Sequence, residues 1–463
     1  EIAQCLVGSE MCIRDRHNAD LLEEINYLVE YPTPLYGRID EEFLKLPVPA
    51  VVTPMRDHQR YYPVRNEDGS LMPYFLTVRN GGTKAIHNVQ IGNERVLRAR
   101  LDDAKFFFEN DRKKSLEGHR EDLTRINYQE GMGTMLDKAD RLQKLSDFIC
   151  DGWNLSADEK ADAERAAYLS KSDLATGMVT EFTELQGEMG KEYALLDGEK
   201  KNVAQAIFEQ YMPRFAGDIL PQESIGRVLS MADKLDNLAA TFLRGLIPTG
   251  SQDPFALRRQ TIGAVNILTD GGIHWDIREG IRKALELLPG EKEAKETALG
   301  QIEEFFRQRI KAIMLDEGIA YDIIDAVLAG PVDDIEALFL KARAMAESQL
   351  KDETDLRQAV TRLANITKDK EGGAVDPSLF EVEYEKNLQA ALDEVKAEVL
   401  PLYKEYQYGK ALASLKKLTA PINDYLDNVM VMVDDEKVKA NRVSQLISAL
   451  DLFRAWGDFS KLV

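Results

Sequence analysis

The chain has 463 residues, 44% apolar and 30% charged, a balance that excludes wholesale disorder and at this length implies more than one domain. Its 80 Asp and Glu against 59 Lys and Arg leave a net charge of −21, which repels polyanions at long range and confines any nucleic-acid contact to local basic patches. No apolar run approaches the roughly 18 residues of a membrane-spanning helix, so no membrane partner is expected.

Residues Glu1–Arg16 (EIAQCLVGSEMCIRDR) follow neither a helical nor an alternating period and resemble translated sequencing-adaptor peptides. Residues 1–20 are therefore set aside as a foreign segment, which would make the chain a fragment. Cys5, Cys12 and Cys150 show no CxxC spacing, so neither a disulfide framework nor a zinc knuckle is expected, in keeping with a reducing cytoplasm.

Residues 21–125 read as a mixed α/β portion. Tyr61–Arg65 and Leu71–Val78 are rich in aromatic and β-branched residues and flank Asn66-Glu67-Asp68-Gly69, the signature of a tight hairpin. Pro32, Pro34, Pro47, Pro49, Pro54, Pro63 and Pro73 point to short or edge strands throughout this stretch. After Asn93 the period becomes helical, with Leu97, Leu101, Ala104 and Phe108 on one stripe. Arg98, Lys105 and Arg112 run down another stripe, with Arg95 and Arg100 nearby and Lys113 and Lys114 following. These cations suit phosphate contact, but Asp102 and Glu109, four residues after Arg98 and Lys105, favour ordinary surface ion pairing.

Residues 126–368 read as helical almost throughout, with breaks at Asp151-Gly152, Gly187–Gly190, Pro213–Pro221, Pro248–Pro254, Pro289-Gly290 and Gly330-Pro331. Gly131 and Gly133 fit either close backbone approach to a ligand or a helix-entry turn with positive φ. Asp137, Asp140, Asp233 and Asp236 are interleaved with Lys138, Arg141 and Lys234, which favours a salt-bridged helix face over a cation site. Leu356, Val360, Leu363 and Ile366 form a further stripe, and Asp369–Pro377 is a linker. Ser378 with Glu381 has capping-box spacing and opens a helix carrying Phe380, Tyr384, Leu388, Leu392, Val395 and Val399, ending at Pro401. The remainder, to Val463, reads as a small helical bundle.

Catalytic motifs are missing. His17, His58, His87, His119 and His274 are scattered, with no HExxH. Leu185 and Lys404 stand where a phosphate-binding loop ending at Gly190-Lys191 or Gly409-Lys410 needs glycine, and no GxSxG occurs. The HIGH and KMSKS signatures of one synthetase class are absent. Gly131-Met132-Gly133 begins like a motif of the other class, but Asp137 replaces its arginine.

Six segments carry a family resemblance: GNERVLRARLDDAKFFFENDRKKSLE (Gly92–Glu117), QEGMGTMLDKADRL (Gln129–Leu142), LSKSDLATGMVTEFTELQGEMGKEYA (Leu169–Ala194), QYMPRFAGDILP (Gln210–Pro221), ADKLDNLAATFLRGLIPTGSQDPFALRRQTIG (Ala232–Gly263) and DNVMVMVDDEKVKANRVSQL (Asp427–Leu446). In this order they resemble the β subunit of bacterial heterotetrameric glycyl-tRNA synthetases, over about Leu21–Val463. The family's opening GTEELP-type region is not among them. The resemblance implies a tRNA(Gly)-binding subunit of an α2β2 ligase, with ATP and Mg at the α subunit, no cofactor on this chain, no DNA partner and a cytoplasmic location. It also implies a mainly α, multidomain fold: after the N-terminal α+β portion, an HD-like helical domain over 126–368, then a DALR-type anticodon-binding bundle over 378–463. In the HD-like domain Ser172-Asp173 stands where a metal-binding His-Asp doublet would be, with Asp233 and Asp236 near the final ligand; lacking the histidine, it is expected to be a retained scaffold without metal. In the bundle, Leu415–Val463 would form the core with VMVMV packing inside.

A tRNA-binding surface needs Lys or Arg against phosphates, with amide or aromatic groups near exposed bases. In the bundle Val443, Leu446, Ile447 and Leu450 form the apolar stripe, while Lys439, Arg442 and Gln445 share a more polar face. Arg442, Lys439, Lys416 and Lys417 are expected to meet the anticodon arm, although a solvated polar face suits any one of them equally. In DPFALRR (Asp253–Arg259), Pro254 is expected in the first helical turn; either the motif is purely structural, or one of Arg258 and Arg259 pairs internally with a carboxylate while the other contacts tRNA or the α subunit. Two other readings stand beside this one: a degenerate HD-type metal phosphohydrolase, and an assembly scaffold that touches no RNA.

Overall fold

The computed structural model describes residues 19–250, 252–348 and 353–462. The Glu1–Arg16 peptide, with Cys5, Cys12 and neighbouring His17, lies outside them. The chain divides into two compact units, Glu1–Asp236 and Asn237–Val463. This division falls inside the stretch read from sequence as one helical domain, within the helix Ser224–Leu243.

The first unit opens with the helix Ala19–Leu28, whose Leu21 and Ile25 pack on Tyr62, Val64 and Leu76 of a small antiparallel sheet. Its strands are β1 (Pro32–Arg38), β2 (Tyr62–Arg65) and β3 (Leu71–Asn80), in the order β1-β3-β2. The hairpin between β2 and β3 forms as its sequence implies: Gly69 takes φ +88°, and the Asn66 N–H donates to the Ser70 carbonyl at 2.8 Å. Pro32, Pro34 and Pro63 sit on the edge strands. Pro73 occupies the central strand where the β2–β3 register slips between Pro63 and Arg65, a place where a missing N–H leaves no broken ladder bond. At the outer margin of β1 the Glu94 carboxylate accepts the Arg38 N–H at 2.9 Å.

The proline-rich stretch between β1 and β2 is helical rather than strand-like. A 3-10 turn at Glu41–Lys45 leads to the helix Val48–Thr53 and a wide turn at Pro54–His58. Proline suits a first helical turn, whose N–H groups have no intrahelical partner, and Pro49 stands there while Ala50, Val51 and Val52 go into the core. Behind the sheet runs the helix Ile86–Asp111, burying Leu97, Leu101 and Ala104 as the stripe implies; Phe108 stacks on Tyr193 with ring centroids 5.9 Å apart. At its end, buried Asp111 accepts from the Gly177 and Met178 amides at 2.8 and 2.9 Å and from the Tyr193 hydroxyl at 2.9 Å.

The second unit is helical among its described residues. Its helices include Leu257–Gly271, Ile277–Leu287, Lys292–Asp316, Ile335–Glu347, Thr354–Thr367, Glu383–Lys404, Tyr408–Leu415, Thr419–Asn428 and Glu436–Arg454. The breaks at Pro248–Pro254, Pro289-Gly290, Gly330-Pro331 and Asp369–Pro377 fall between helices as expected. Several helix ends differ from expectation. Ser378 and Glu381 do not cap: Asp376 accepts the Ser378 amide in a 3-10 turn, and the helix starts at Glu383 with Glu385 accepting the Glu381 and Val382 amides at 2.7 and 2.9 Å. Pro401 does not end that helix but lies in its last turn, where the missing N–H forfeits a single bond. Pro254 precedes its helix, which begins at Leu257 with Asp253 accepting the Leu257 and Arg258 amides at 2.8 and 2.9 Å. In VMVMV the residues alternate: Val429 and Val431 are buried, whereas Met430 is 74% exposed.

Gly37 of β1 faces Phe75 of β3, and a Cβ there would lie 2.2 Å from the Phe75 ring, which is itself stacked on Tyr61 at 4.6 Å. Gly37→Ala is therefore expected to cost about 1–3 kcal/mol of stability through overpacking, measured as a lower midpoint in urea unfolding. An unchanged midpoint would show that the ring has room to move.

Candidate nucleic-acid interface

The entry to the helix Met135–Gly152 is a glycine turn. Gly131 and Gly133 take φ of +76° and +85°, and Thr134 and Asp137 exchange capping-box hydrogen bonds, so these glycines serve the turn. The helix carries Lys138 and Arg141 inward to Asp233 and Asp236 on Ser224–Leu243. Lys138 Nζ lies 3.0 Å from Asp233 and 2.9 Å from Asp236; Arg141 Nε lies 2.6 Å from Asp236; Lys171 Nζ reaches Asp233 at 3.1 Å. All five groups are buried. Burial alone would lower Lys138, yet Asp233 and Asp236 hold it above its ordinary value. Burial would raise Asp233, yet Lys138 and Lys171 hold it well below the carboxylate range. Of the interleaved charges, Lys138, Arg141, Asp233 and Asp236 thus form an interior salt-bridged cluster, whereas Asp140 pairs with Arg120, Asp137 caps its own helix and Lys234 donates to the Met212 carbonyl.

The Ser172-Asp173 pair stands beside this cluster. Lys171 adopts φ +66° ahead of the 3-10 turn Ser172–Ala175, and its ammonium sits 3.9 Å from the Tyr211 ring centre. Asp173 is fully buried, accepts the Gly187 amide at 2.7 Å and the Tyr211 hydroxyl at 3.3 Å, and is pushed up by that burial. The residues do not fit a divalent metal: two ammonium groups occupy the space between the carboxylates, and no cluster of three or more His, Cys, Asp or Glu suited to a metal occurs among the described residues. Lys171 went unrecognised in the sequence, although its place directly before the Ser172-Asp173 pair was an available signal.

The polar face of the bundle is not a free surface. Arg442 is 5% exposed; its Nε meets Glu385 and its Nη2 meets Glu381, both at 2.8 Å, and Nη1 donates to the Met430 carbonyl at 2.9 Å. Gln445 is fully buried and donates to the Glu385 carbonyl at 2.7 Å. The expectation that Arg442 meets an anticodon arm is corrected: the helix Glu436–Arg454 is enclosed on nearly every side, so its polar stripe faces another helix. Lys416, Lys417 and Lys439 lie nearer solvent, bound to Glu353 at 3.0 Å, Glu398 at 2.6 Å and Glu436 at 3.2 Å.

Among the remaining basic residues, Arg98 pairs with Asp40 and Lys105 with Glu42 at 2.7 Å, partners on the 3-10 turn rather than the same-helix Asp102 and Glu109. Arg112 pairs with Asp197, Lys114 with Asp122 at 2.8 Å, and Lys113 donates to the Asn110 side chain at 3.1 Å. Arg95 and Arg259 are exposed, and neither they nor Arg100 meets a described carboxylate. Arg258 donates to the Gly250 carbonyl instead of the expected carboxylate. Within each unit most of the predicted cations are thus engaged one by one with separate partners.

Removing one partner from a buried ion pair strands the other charge, at about 3–5 kcal/mol. Lys138→Met and Arg442→Ala are each expected to lower the thermal midpoint accordingly, while EDTA leaves the unsubstituted chain's midpoint unchanged. A midpoint that EDTA lowers would contradict the ammonium-filled cluster.

Residues 6–329 match the family model described as glycyl-tRNA synthetase beta subunit, and residues 356–454 match the DALR anticodon binding domain. The first match begins inside the opening peptide. The second takes in the helix Thr354–Thr367, placed by sequence reading in the preceding domain. Relatives named glycine–tRNA ligase beta subunit include those of Clostridioides difficile, 46% identical over 99% of this chain and 67% of the relative, and Desulforamulus reducens, 43% identical over 96% and 64%. That of Shouchella clausii is 44% identical over 96% of this chain and 65% of its own length, so the chain spans about two thirds of the relatives it matches. With two family models accounting in succession for most of its length, the chain belongs to the glycyl-tRNA synthetase β-subunit family.

Proposed function

We propose that the chain is the tRNA-binding part of a cytoplasmic glycine–tRNA ligase, holding tRNA(Gly) while a companion α subunit, in an α2β2 assembly, carries out ATP- and Mg-dependent glycylation. The observation that carries this reading is the match of residues 356–454 to an anticodon-binding domain directly after a β-subunit match. Chemistry agrees with a binding role: the HD-like cluster is filled by lysine ammonium groups, which disfavours the metal phosphohydrolase reading.

In the bundle the contact residues are narrowed to Lys416, Lys417 and Lys439. Their carboxylate partners are part-exposed or exposed, and such pairs contribute little in high dielectric, so a phosphate can replace the carboxylate. Arg442 acts instead as the internal clamp that shapes this surface.

The test combines the chain with its companion, glycine, ATP and a tRNA(Gly) transcript. Glycylation is expected from the mixture, and ATP–pyrophosphate exchange with glycine is expected to be absent from the chain alone. Replacing Lys416 and Lys417 by Ala is expected to weaken tRNA binding several-fold and to flatten its log–log salt dependence by about one to two. Glycine activation by the chain unaided, or indifference of the mixture to tRNA(Gly), overturns the reading.

A further inference from the structure

In the second unit, an open cleft of about 580 Å³ lies between the loop after the helix Ser224–Leu243, the start of Leu257–Gly271 and one face of Lys292–Asp316. Arg258 and Arg309 both line it, together with Phe305, Gln301, Gln308 and Gly300. Neither meets a carboxylate among the described residues. Arg258 donates to the Gly250 carbonyl, while both oxygens of the nearby Asp253 carboxylate accept the Leu257 and Arg258 backbone amides at 2.8 and 2.9 Å. Arg309 lies over the Phe305 ring at 4.1 Å and donates to the Gln308 side chain at 3.3 Å, and its buried Nε has no hydrogen-bond partner. Glu304, the one carboxylate lining the cleft among the described residues, is held by Arg307 at 3.3 Å and Gln308 at 3.1 Å. Burial, and then the charge of Arg258, keep the Arg309 guanidinium below its ordinary value, against the opposing pull of Asp253.

A second observation is independent of charge. Gly300 lies within the helix Lys292–Asp316, has no positive φ, and a Cβ there would meet nothing within 4 Å. Glycine in a helix interior costs about 1 kcal/mol relative to alanine, and no neighbour of Gly300 requires it. What it does provide is bare helix backbone on the wall of the cleft. Two like charges held together without a counter-charge raise the energy of the empty site, and an arriving anion relieves it. The fork of a guanidinium matches the paired oxygens of a phosphodiester.

We propose that Arg258 and Arg309 form a binding pocket for a backbone phosphate of the bound tRNA, with Gly300 leaving room for the strand; this rests on the tRNA-binding reading above. The pocket is separate from the lysines of the bundle and adds a second point of attachment.

The test measures tRNA(Gly) affinity for the chain with its companion across a salt series. Arg258→Ala with Arg309→Ala is expected to weaken binding about tenfold or more and to reduce the salt slope by about one to two. Gly300→Glu, whose Cβ meets nothing within 4 Å and which favours the helix, is expected to weaken binding similarly with a thermal midpoint no lower than that of the unsubstituted protein. Unchanged affinity and slope in both variants, with the unsubstituted protein binding normally, overturns the pocket and leaves the wider reading intact. No binding by the unsubstituted mixture removes both. Loss of companion association at unchanged tRNA affinity overturns the pocket in favour of an acidic protein segment. Displacement of tRNA by ATP that the double variant abolishes overturns it in favour of a free nucleotide.

Discussion

Lys138 is 2% exposed and stands between Asp233 at 3.0 Å and Asp236 at 2.9 Å, with Arg141 and Lys171 completing the set. Charges this far from water are tolerated only when each is matched, since an unpaired one costs several kcal/mol. The pairing fixes the helix Met135–Gly152 against Ser224–Leu243 and the turn at Lys171–Ala175, so three segments distant in sequence share one geometry. The arrangement has the carboxylates that a metal centre would use and fills it with fixed cations instead.

The same logic governs the bundle. Arg442 clamps two carboxylates and a carbonyl, and Gln445 closes on the backbone of Glu385. Hydrogen bonds from Arg442 hold Glu385 below its usual range although burial would raise it. Positive side chains in this acidic protein therefore do two separable jobs. Those deep inside neutralise specific carboxylates, and those that remain near the surface, such as Lys416, Lys417 and Lys439, pair with carboxylates that solvent screens.

How much of this was legible in the sequence depended on whether the deciding interaction was local. The β2–β3 hairpin was readable because Asp68-Gly69 supplies the positive φ that such a turn needs, and the stripe through Leu97, Leu101 and Ala104 was readable because one helix face meets the core. The Pro47–Pro54 stretch was misread because proline marks both edge strands and first helical turns. Arg442 was misread because a 3.6-residue period assigns polar residues to solvent, whereas Glu436–Arg454 has a helix on that side too. The local signal was the i, i+4 spacing of Glu381 and Glu385, two carboxylates at a helix start with no lysine or arginine four residues on. The candidate site on Arg258 was half visible: the sequence singled out DPFALRR, but nothing in it linked that motif to Arg309, fifty or so residues on, which only the packing of the two helices brings to one cleft.

The contact between Glu94 and the Arg38 amide bears on how molecules of this protein treat one another. A strand at the border of a sheet offers unpaired amides that another chain can adopt as a template. Here a carboxylate from the adjoining helix takes one of those amides and places a negative charge beside it. That makes the border of β1 a poor seed for intermolecular pairing, a safeguard that matters most in concentrated or partly unfolded protein.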